Sequence, residues 1–337
     1  MTTRTSPARD KGKQPMDSAE LKIIRHLERV FMPYATTRRE KMQQRNGRFV
    51  HYTSAENALK IIQSKEIWTR NTTCMADYRE VQHGYDLLSQ FFSQQSKRAA
   101  FFEAVNLCAP GIAAEAVGLF DQWWNNIRLT TYICSISEHE DSEDVHGRLS
   151  MWRAFGRLPA RAAIVIKMPS PDAAEGLQVL LSPVAYFGYE KVEEQLWSVI
   201  SNVKADAEFL QSLDRERIKS AVFYMLVAAA VSLKHEGFAE EREWRVIYLP
   251  DAHPSKHIRR STKVVEGIPQ VIFKIPLQDI PEDDVNDVEI PKLVDRIIIG
   301  PTAYPIAIYT AFVIALQEAG VTDAAARTVI SGIPLRS

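Results

Sequence analysis

The segment from Glu241 to Leu249 mixes charged side chains with residues that are typical of a buried strand. Successive side chains of a strand alternate between the two faces of a sheet. One face then carries Glu241, Glu243, Arg245, Ile247 and Leu249, and the other carries Arg242, Trp244, Val246 and Tyr248. Two carboxylates and an arginine beside an apolar stripe are costly unless the polar end opens into a cleft. The segment therefore predicts a strand that ends at a site of chemistry.

The composition of the 337-residue chain narrows the class of protein. With 41 basic against 42 acidic residues, the net charge is −1, so no overall field selects nucleic acid or an acidic surface. The cysteines at positions 74, 108 and 134 are odd in number and far apart, which favours a reducing compartment, and we expect a cytoplasmic protein. The longest apolar run, residues 221–233, is shorter than the roughly 20 residues of a membrane-spanning helix, so we expect no membrane association.

The order of apolar patterns predicts the fold class. Residues 1–16 lack apolar periodicity and predict a disordered basic tail, and residues 17–337 predict a single domain. Helices are predicted at about 18–33, 54–63, 80–107, 112–127, 190–235 and 304–319, and strands at 48–52, 67–69, 130–137, 162–168, 243–249, 270–275 and 294–299. This order predicts an α+β fold with a mixed or antiparallel central sheet and a substantial helical portion. Residues 190–235 could form a helical insertion.

His51 and Tyr52 end a predicted strand directly before a helix, where Thr53 and Glu56 form a capping box. A histidine there can donate to a ligand hydroxyl, and the first helical turn favours anionic groups such as phosphate. The alternative is a satisfied histidine at a strand end beside an aromatic neighbour. For this pair alone, that alternative is the more common.

The carboxylates of Glu241 and Glu243 would lie roughly 6–7 Å apart on one strand face. Each raises the pKa of the other, whereas Arg242 and Arg245 act in the opposite direction. Such a pair suits hydrogen bonding to a sugar hydroxyl or stabilisation of an oxocarbenium-like centre. The alternative, equally supported by this feature alone, is an edge strand whose charges prevent aggregation.

The segment that contains Ser150, Trp152 and Phe155 combines a hydroxyl with aromatic rings that could stack on a planar ligand. The alternative is an amphipathic helical turn that packs its aromatic side chains into the core. The acidic loop at residues 138–144 could hold a divalent cation, but it has no recognised ligand spacing, and we predict no metal site. The basic segment at residues 38–48 could contact nucleic acid or be a solvated linker.

Five segments together resemble a largely uncharacterised family called domain of unknown function 2971, over residues 49–301. They are HYTSAENALKIIQSKEIWTRN, YICSISEHEDS, LSMWRAFG, GFAEEREWRVIY and RIIIGP. The chain also resembles, more loosely, the ADP-ribosyltransferase folds. These carry Arg or His on a first strand, Ser or Tyr on or near a middle strand, and the catalytic Glu on a late strand. His51 matches the first element, one of Ser135, Ser137 and Ser150 the second, and Glu243 the third.

This looser resemblance implies a split sheet, NAD as substrate and a role for each residue. His51 would hold the adenosine-side ribose, and Tyr52 or Trp152 would pack on the nicotinamide. Glu243 would hydrogen-bond the ribose next to nicotinamide, and Glu241 would orient the acceptor nucleophile. Ser135, Ser150 and Arg245 would complete the NAD site. A His start usually accompanies a Tyr second element, whereas Glu-x-Glu is typical of transferases that start with Arg, so the chain mixes two subclasses.

The leading hypothesis is an NAD-dependent ADP-ribosyltransferase-like enzyme, such as a toxin or defence effector, that modifies a protein or nucleic acid. One alternative is a non-catalytic nucleotide- or partner-binding module on the same scaffold. A second is a metal-dependent nucleic-acid-processing enzyme whose carboxylates bind the metal. The separation between His51 and Glu243 discriminates between the first hypothesis and its rivals.

Overall fold

The computed structural model describes residues 18–75, 78–154, 160–265 and 267–334. The predicted tail at residues 1–16 and the aromatic candidate Phe155 lie outside them. The helices are α1 (Ser18–Phe31), α2 (Pro33–Gln44), α3 (Ala55–Ser64), α4 (Tyr78–Ser93), α5 (Gln95–Asn106), α6 (Ile112–Thr130), α7 (Leu149–Ala154), α8 (Pro171–Gly176), α9 (Tyr189–Ala205), α10 (Ala207–Gln211), α11 (Arg215–Ser232), α12 (Ile290–Leu293) and α13 (Pro305–Glu318). The strands are β1 (Arg48–Ser54), β2 (Glu66–Asn71), β3 (Tyr132–His139), β4 (Arg161–Lys167), β5 (Leu180–Pro183), β6 (Ala185–Tyr186), β7 (Leu233–Lys234), β8 (Glu243–Tyr248), β9 (Arg259–Val265), β10 (Ile268–Pro276), β11 (Val294–Ile299) and β12 (Thr328–Ile330).

Ten strands of the described chain form one mixed, mostly antiparallel sheet, which confirms the predicted α+β class. Along the sheet the order is β12, β11, β4, β1, β3, β2, β10 and β9. Strand β8 pairs with β3, and β5 pairs with β8. Within the sheet β11 and β12 run parallel, and β6 and β7 form a separate parallel pair. No helix of the described segments is long and apolar enough to cross a membrane.

The sheet splits at β3, because two strands share one edge of it. Val50 of β1 lies opposite Ser137, and Arg70 of β2 lies opposite Ile133. Both Ser137 and Ile133 also lie opposite residues of β8, which therefore occupies the other edge of β3. Strands β1 and β2 consequently diverge around residues 134–136 of β3, where the candidate Ser135 is located.

Helices cover both faces of the sheet and bury its apolar side chains. One face, represented by Ile133 and Ile247, contributes to a core shared with α1, α4, α5, α6, α9 and α11. On the other face α3 and α13 pack against β4 and β11. Residues 190–232, within the range predicted as helical, form α9 to α11 and pack in the same apolar core as α4 to α6, whereas the end of that range forms the short strand β7.

Local signals account for several element boundaries. The N-cap of α3 is Ser54, which accepts from Asn57 N at 3.0 Å, rather than the predicted Thr53. The predicted helix over residues 80–107 is two helices, because Gln94 is extended. Helix α2 was not predicted, since its polar sequence carries no apolar stripe, although Pro33 at its first turn is a typical helix start. Strand β9 was also missed, because its side chains are largely exposed.

Candidate functional site

Glu243 begins β8, and its side chain lies on the face that the larger helical layer covers. Ser135, on the adjacent strand β3, donates from Oγ to Glu243 Oε1 at 2.6 Å. Arg245 donates from Nε to the same oxygen at 2.9 Å and from Nη2 to Oε2 at 3.2 Å. The three side chains meet because Ser135 lies opposite Arg245 in the strand register. Glu243 is only 6% exposed, so its carboxylate is almost completely buried.

A buried lysine that the sequence analysis did not select completes this group. Lys234 is 1% exposed, and its Nζ donates to Glu241 Oε2 at 2.8 Å and to Glu243 Oε2 at 3.3 Å. The same ammonium lies 4.9 Å from the centre of the Phe238 ring. Its sequence signal was its position directly after the apolar run at residues 221–233, which brings a charge to the end of a buried helix. We call Ser135, Lys234, Glu241, Glu243 and Arg245 the Glu243 cluster.

Glu241 does not have the predicted position on the strand. Arg242 has a φ of 46°, in the left-handed region, and follows the 3₁₀ helix Glu236–Glu241. Because β8 begins only at Glu243, the prediction that the two carboxylates share a strand face is wrong. Lys234 instead brings them together by bonding to both. The Glu241 side chain is 34% exposed and forms the solvent side of the cluster.

Charge compensation keeps the buried Glu243 carboxyl ionised. Burial would raise its pKa, but Arg245, Lys234 and the hydrogen bond from Ser135 outweigh burial and hold the pKa below its ordinary value. Tyr186, a second residue that the sequence analysis missed, accepts from Glu243 N at 2.8 Å through its hydroxyl. Burial raises the pKa of Tyr186, so this hydroxyl stays protonated.

His51 lies close to the Glu243 cluster along the sheet but on the opposite face. Val50 lies opposite Ser137, which lies opposite Glu243, so Val50 and Glu243 share a face. The next residue, His51, therefore points to the other face. Since β1 and β8 are two strand spacings apart, the Cα atoms of His51 and Glu243 are about 10 Å apart. His51 is thus near Glu243 in the backbone but separated from it by the sheet.

Ser135 connects the two faces. Its carbonyl oxygen lies 2.9 Å from His51 Nδ1, and because a carbonyl only accepts, Nδ1 carries the proton. Burial lowers the pKa of His51, which keeps the ring neutral. Cys134 Sγ lies 4.0 Å from the same nitrogen. Burial, and then the negative charge of Glu243, raise the pKa of Cys134 to about 12, so its thiol is not a nucleophile.

Tyr52 and Trp152 pack on each other in the core. Their ring centres are 4.8 Å apart in an edge-on arrangement, and Trp152 is 1% exposed. Trp152 Nε1 donates to the His146 carbonyl at 2.7 Å, and Tyr52 Oη accepts from Arg148 N at 2.8 Å. Ser150 Oγ is buried without a hydrogen-bond partner among the described residues. This arrangement corresponds to the core-packing alternative for the segment rather than to an aromatic ring free to stack on a ligand.

Arginines neutralise the acidic loop at residues 138–144. The arginines that form ion pairs with it are Arg38, Arg45, Arg48, Arg148, Arg242 and Arg296. Three of these belong to the basic segment at residues 38–48, whose charge is therefore largely used within the chain. Over the described ranges, no group of three or more His, Cys, Asp or Glu side chains is arranged to hold a metal ion.

The structure therefore brings together Ser135, Glu243, Arg245 and, through Lys234, Glu241. It does not bring the side chains of His51 or Trp152 into contact with them. An ionised carboxylate that accepts from a serine can accept a sugar hydroxyl and stabilise a developing cation. Comparisons of the chain with family models, with curated proteins and with solved structures find no match.

Proposed function

We propose that the chain is an NAD-dependent ADP-ribosyltransferase-like enzyme in which Glu243 is the catalytic carboxylate. NAD donates ADP-ribose, and the acceptor is a group on a protein or nucleic acid. The observation that carries the proposal is the 2.6 Å hydrogen bond from Ser135 Oγ to Glu243 Oε1. This hydrogen bond joins the adjacent strands β3 and β8 beside the split of the sheet. It connects the residues that match the second and third elements of the ADP-ribosyltransferase folds, Ser135 and Glu243.

The electrostatics of the Glu243 cluster suit this reaction. The bond between ribose C1′ and the nicotinamide nitrogen breaks, and nicotinamide leaves with the electron pair. An ionised Glu243 stabilises the positive charge that develops on the ribose. Glu241, which is more exposed, takes the proton of the acceptor nucleophile as that nucleophile bonds to C1′. Both oxygens of Glu243 are occupied, so Lys234 would release Oε2 when a ribose hydroxyl arrives.

The remaining candidates act indirectly in this proposal. His51 donates to the Ser135 carbonyl from the opposite face and so holds the serine in place for Glu243. Tyr52 and Trp152 fix α7 against β1 instead of stacking on nicotinamide. These three are positioning residues, whereas Ser135, Glu241 and Glu243 contact the reactants.

The direct test is NAD consumption and nicotinamide release by the purified full-length protein. Assays are run alone and with cell extract as a source of acceptors. We expect Glu243→Gln to lower the rate of nicotinamide release by about 10²- to 10³-fold, the usual loss when one electrostatic stabiliser of a transition state is removed. Circular dichroism and calorimetric titration with NAD establish that the variant is folded and binds its substrate.

Glu138→Gln is the matched control. Glu138 is 4% exposed, lies on the adjacent strand β3 and is also paired with cations, but the register places it on the face opposite Glu243. We expect this variant to keep nicotinamide release within a few-fold of wild type. Equal losses in the two variants, or a wild-type protein that neither binds NAD nor releases nicotinamide, would contradict the proposal.

A second candidate is a non-catalytic nucleotide- or partner-binding module. It is favoured by the saturation of both Glu243 oxygens in a nearly buried ion cluster, an arrangement that also serves purely structural ends. This candidate predicts nucleotide binding without consumption, and Glu243→Gln would then change stability but not binding. No observation in the described residues favours the metal-dependent nucleic-acid enzyme.

A further inference from the structure

An apolar cavity of about 100 Å³ lies on the face of the sheet opposite the Glu243 cluster. It is bounded by side chains of eight strands, β1, β2, β3, β4, β5, β8, β10 and β11, and of the helices α3, α8 and α12. Of the described residues that line it, His51 is the one with a polar side chain, and the others are Ile, Leu, Val, Ala and Pro. A single polar group in an otherwise apolar chamber specifies the chemistry of an occupant.

His51 presents a hydrogen-bond acceptor to this cavity. Because Nδ1 donates to the Ser135 carbonyl, the other ring nitrogen, Nε2, carries the lone pair. Burial lowers the pKa of His51, so the lone pair is not lost to a proton near neutral pH. Within the part of the chain that the structure describes, Nε2 has no hydrogen-bond partner. The acceptor is thus fixed in direction and available.

A wider cleft lies directly beside the cavity. It has a volume of about 210 Å³ and lies between α1, α8, α11 and the β5–β8 edge. Four residues line both spaces: Pro169, Ala174, Val179 and Leu181. The wall between them is therefore one side chain thick along α8 and β5.

We propose that the cavity binds a small molecule with an apolar body and one O–H donor at its inner end, an aliphatic alcohol, which donates to His51 Nε2. Water is a poor occupant, because an ordered water needs two to four polar partners and His51 offers one. An apolar cavity of about 150 Å³ holds benzene in another protein, so this smaller space takes a few heavy atoms. The rest of the chain of the alcohol points toward the wall that the cavity shares with the cleft. The site lies on the face of the sheet opposite the proposed reaction at Glu243, and His51 contributes to both.

Calorimetric titration of the full-length protein with 1-hexanol and 1-chlorohexane tests the proposal. The two probes have similar length and apolar area, but the chloride has no donor. We expect wild type to bind 1-hexanol about threefold to tenfold more tightly, the usual net value of one hydrogen bond. This comparison needs no variant to fold. Failure of 1-hexanol to bind, or equal affinity for the two probes, overturns the proposal.

Two variants locate the binding site. His51→Leu keeps an apolar lining without the acceptor, and we expect it to bind both probes with equal affinity. Ala174→Leu places a larger side chain between the cleft and the cavity, and we expect it to reduce the binding of both probes at least tenfold. Ala307→Leu, at an exposed position of α13, is the matched control and should bind both as wild type does. Unchanged binding by Ala174→Leu would place the probes elsewhere and overturn the proposal.

Discussion

Two buried carboxylates on adjacent strands, Glu138 of β3 and Glu243 of β8, are stabilised in different ways. Each is less than a tenth exposed, and each pairs with two cations. The cations on Glu138 come from α2 and the turn after it, Arg38 and Arg45, whose side chains are 36% and 41% exposed. Glu138 also accepts from Trp244 Nε1 at 2.9 Å. Glu138 therefore links α2 to the sheet through ion pairs.

Glu243 has partners of another kind. Its cations, Arg245 and Lys234, have side chains that are both 2% exposed, and its third partner is the hydroxyl of Ser135. If the carboxylate is lost, the arginines around Glu138 can turn to water, whereas Arg245 and Lys234 remain buried with one carboxylate partner fewer. The two carboxylates therefore differ in the solvent exposure of their partners rather than in the number of their ion pairs.

Neutralising each carboxylate tests this difference most strongly. We expect Glu243→Gln to lower the free energy of unfolding by about 3–5 kcal/mol, because Arg245 and Lys234 are both buried and each loses this carboxylate, although Lys234 keeps Glu241. Glu138→Gln should cost about 1–2 kcal/mol, because its arginines become solvated. Urea unfolding followed by circular dichroism measures both values. Equal losses would show that partner exposure does not decide the cost.

The contribution of Glu243 should also have a defined pH window. Its pKa is lowered in the folded state, so the stability it supplies is present above its unfolded pKa, near 4.3, and is lost as the pH falls through the folded pKa. We expect the difference in unfolding free energy between wild type and Glu243→Gln to be constant from about pH 6 to 7 and to shrink below about pH 4. The total decrease in this difference is about 1.4 kcal/mol for each pH unit by which folding lowers the pKa of Glu243. A difference that grows on acidification would contradict this sign.

Removing the hydroxyl of Ser135 should have a smaller effect on the same cluster. Ser135→Ala deletes one hydrogen bond to Glu243 without changing charge, and we expect a loss of about 1 kcal/mol in unfolding free energy. Ser137→Ala is the control. Ser137 is buried on the same face of β3 as Ser135, and it is the residue of β3 that pairs with Glu243 in the strand register. Its substitution should be close to neutral. Thermal and urea unfolding of both variants measure the two losses. A larger loss for Ser137→Ala than for Ser135→Ala would contradict this prediction.

The smallest effect is expected at the solvent side of the Glu138 group. Arg45→Ala removes one half-exposed cation, and we expect a cost below about 1 kcal/mol, as for other exposed ion pairs. Raising the salt concentration should reduce this cost further. Urea unfolding of Arg45→Ala at low and high salt measures this cost. A salt-independent loss as large as that of Glu243→Gln would show that the ion pairs of Glu138 and Glu243 do not differ in this way.

Much of the candidate site could be located from local patterns, but its geometry could not. Alternation over residues 243–249 predicted β8, and the strand at residues 130–137 predicted β3. The choice of Ser135 among three candidate serines required its side-chain contact with Glu243, because the strand register places Ser137, rather than Ser135, directly opposite Glu243. Lys234 and Tyr186 were missed because each reaches Glu243 from a short strand that sequence periodicity does not signal.

By itself, the sequence determined the fold class, the major helices and strands, and the concentration of unusual charge at Glu243, because these depend on periodicities within one element. The tertiary structure alone decided what that charge does. Arg242 adopts a left-handed conformation that removes Glu241 from the strand, and the buried Lys234 reconnects it. His51 lies on the face opposite Glu243, because strand pairing sets which side chains share a face. Such pairing joins segments more than eighty residues apart, and no local pattern records it.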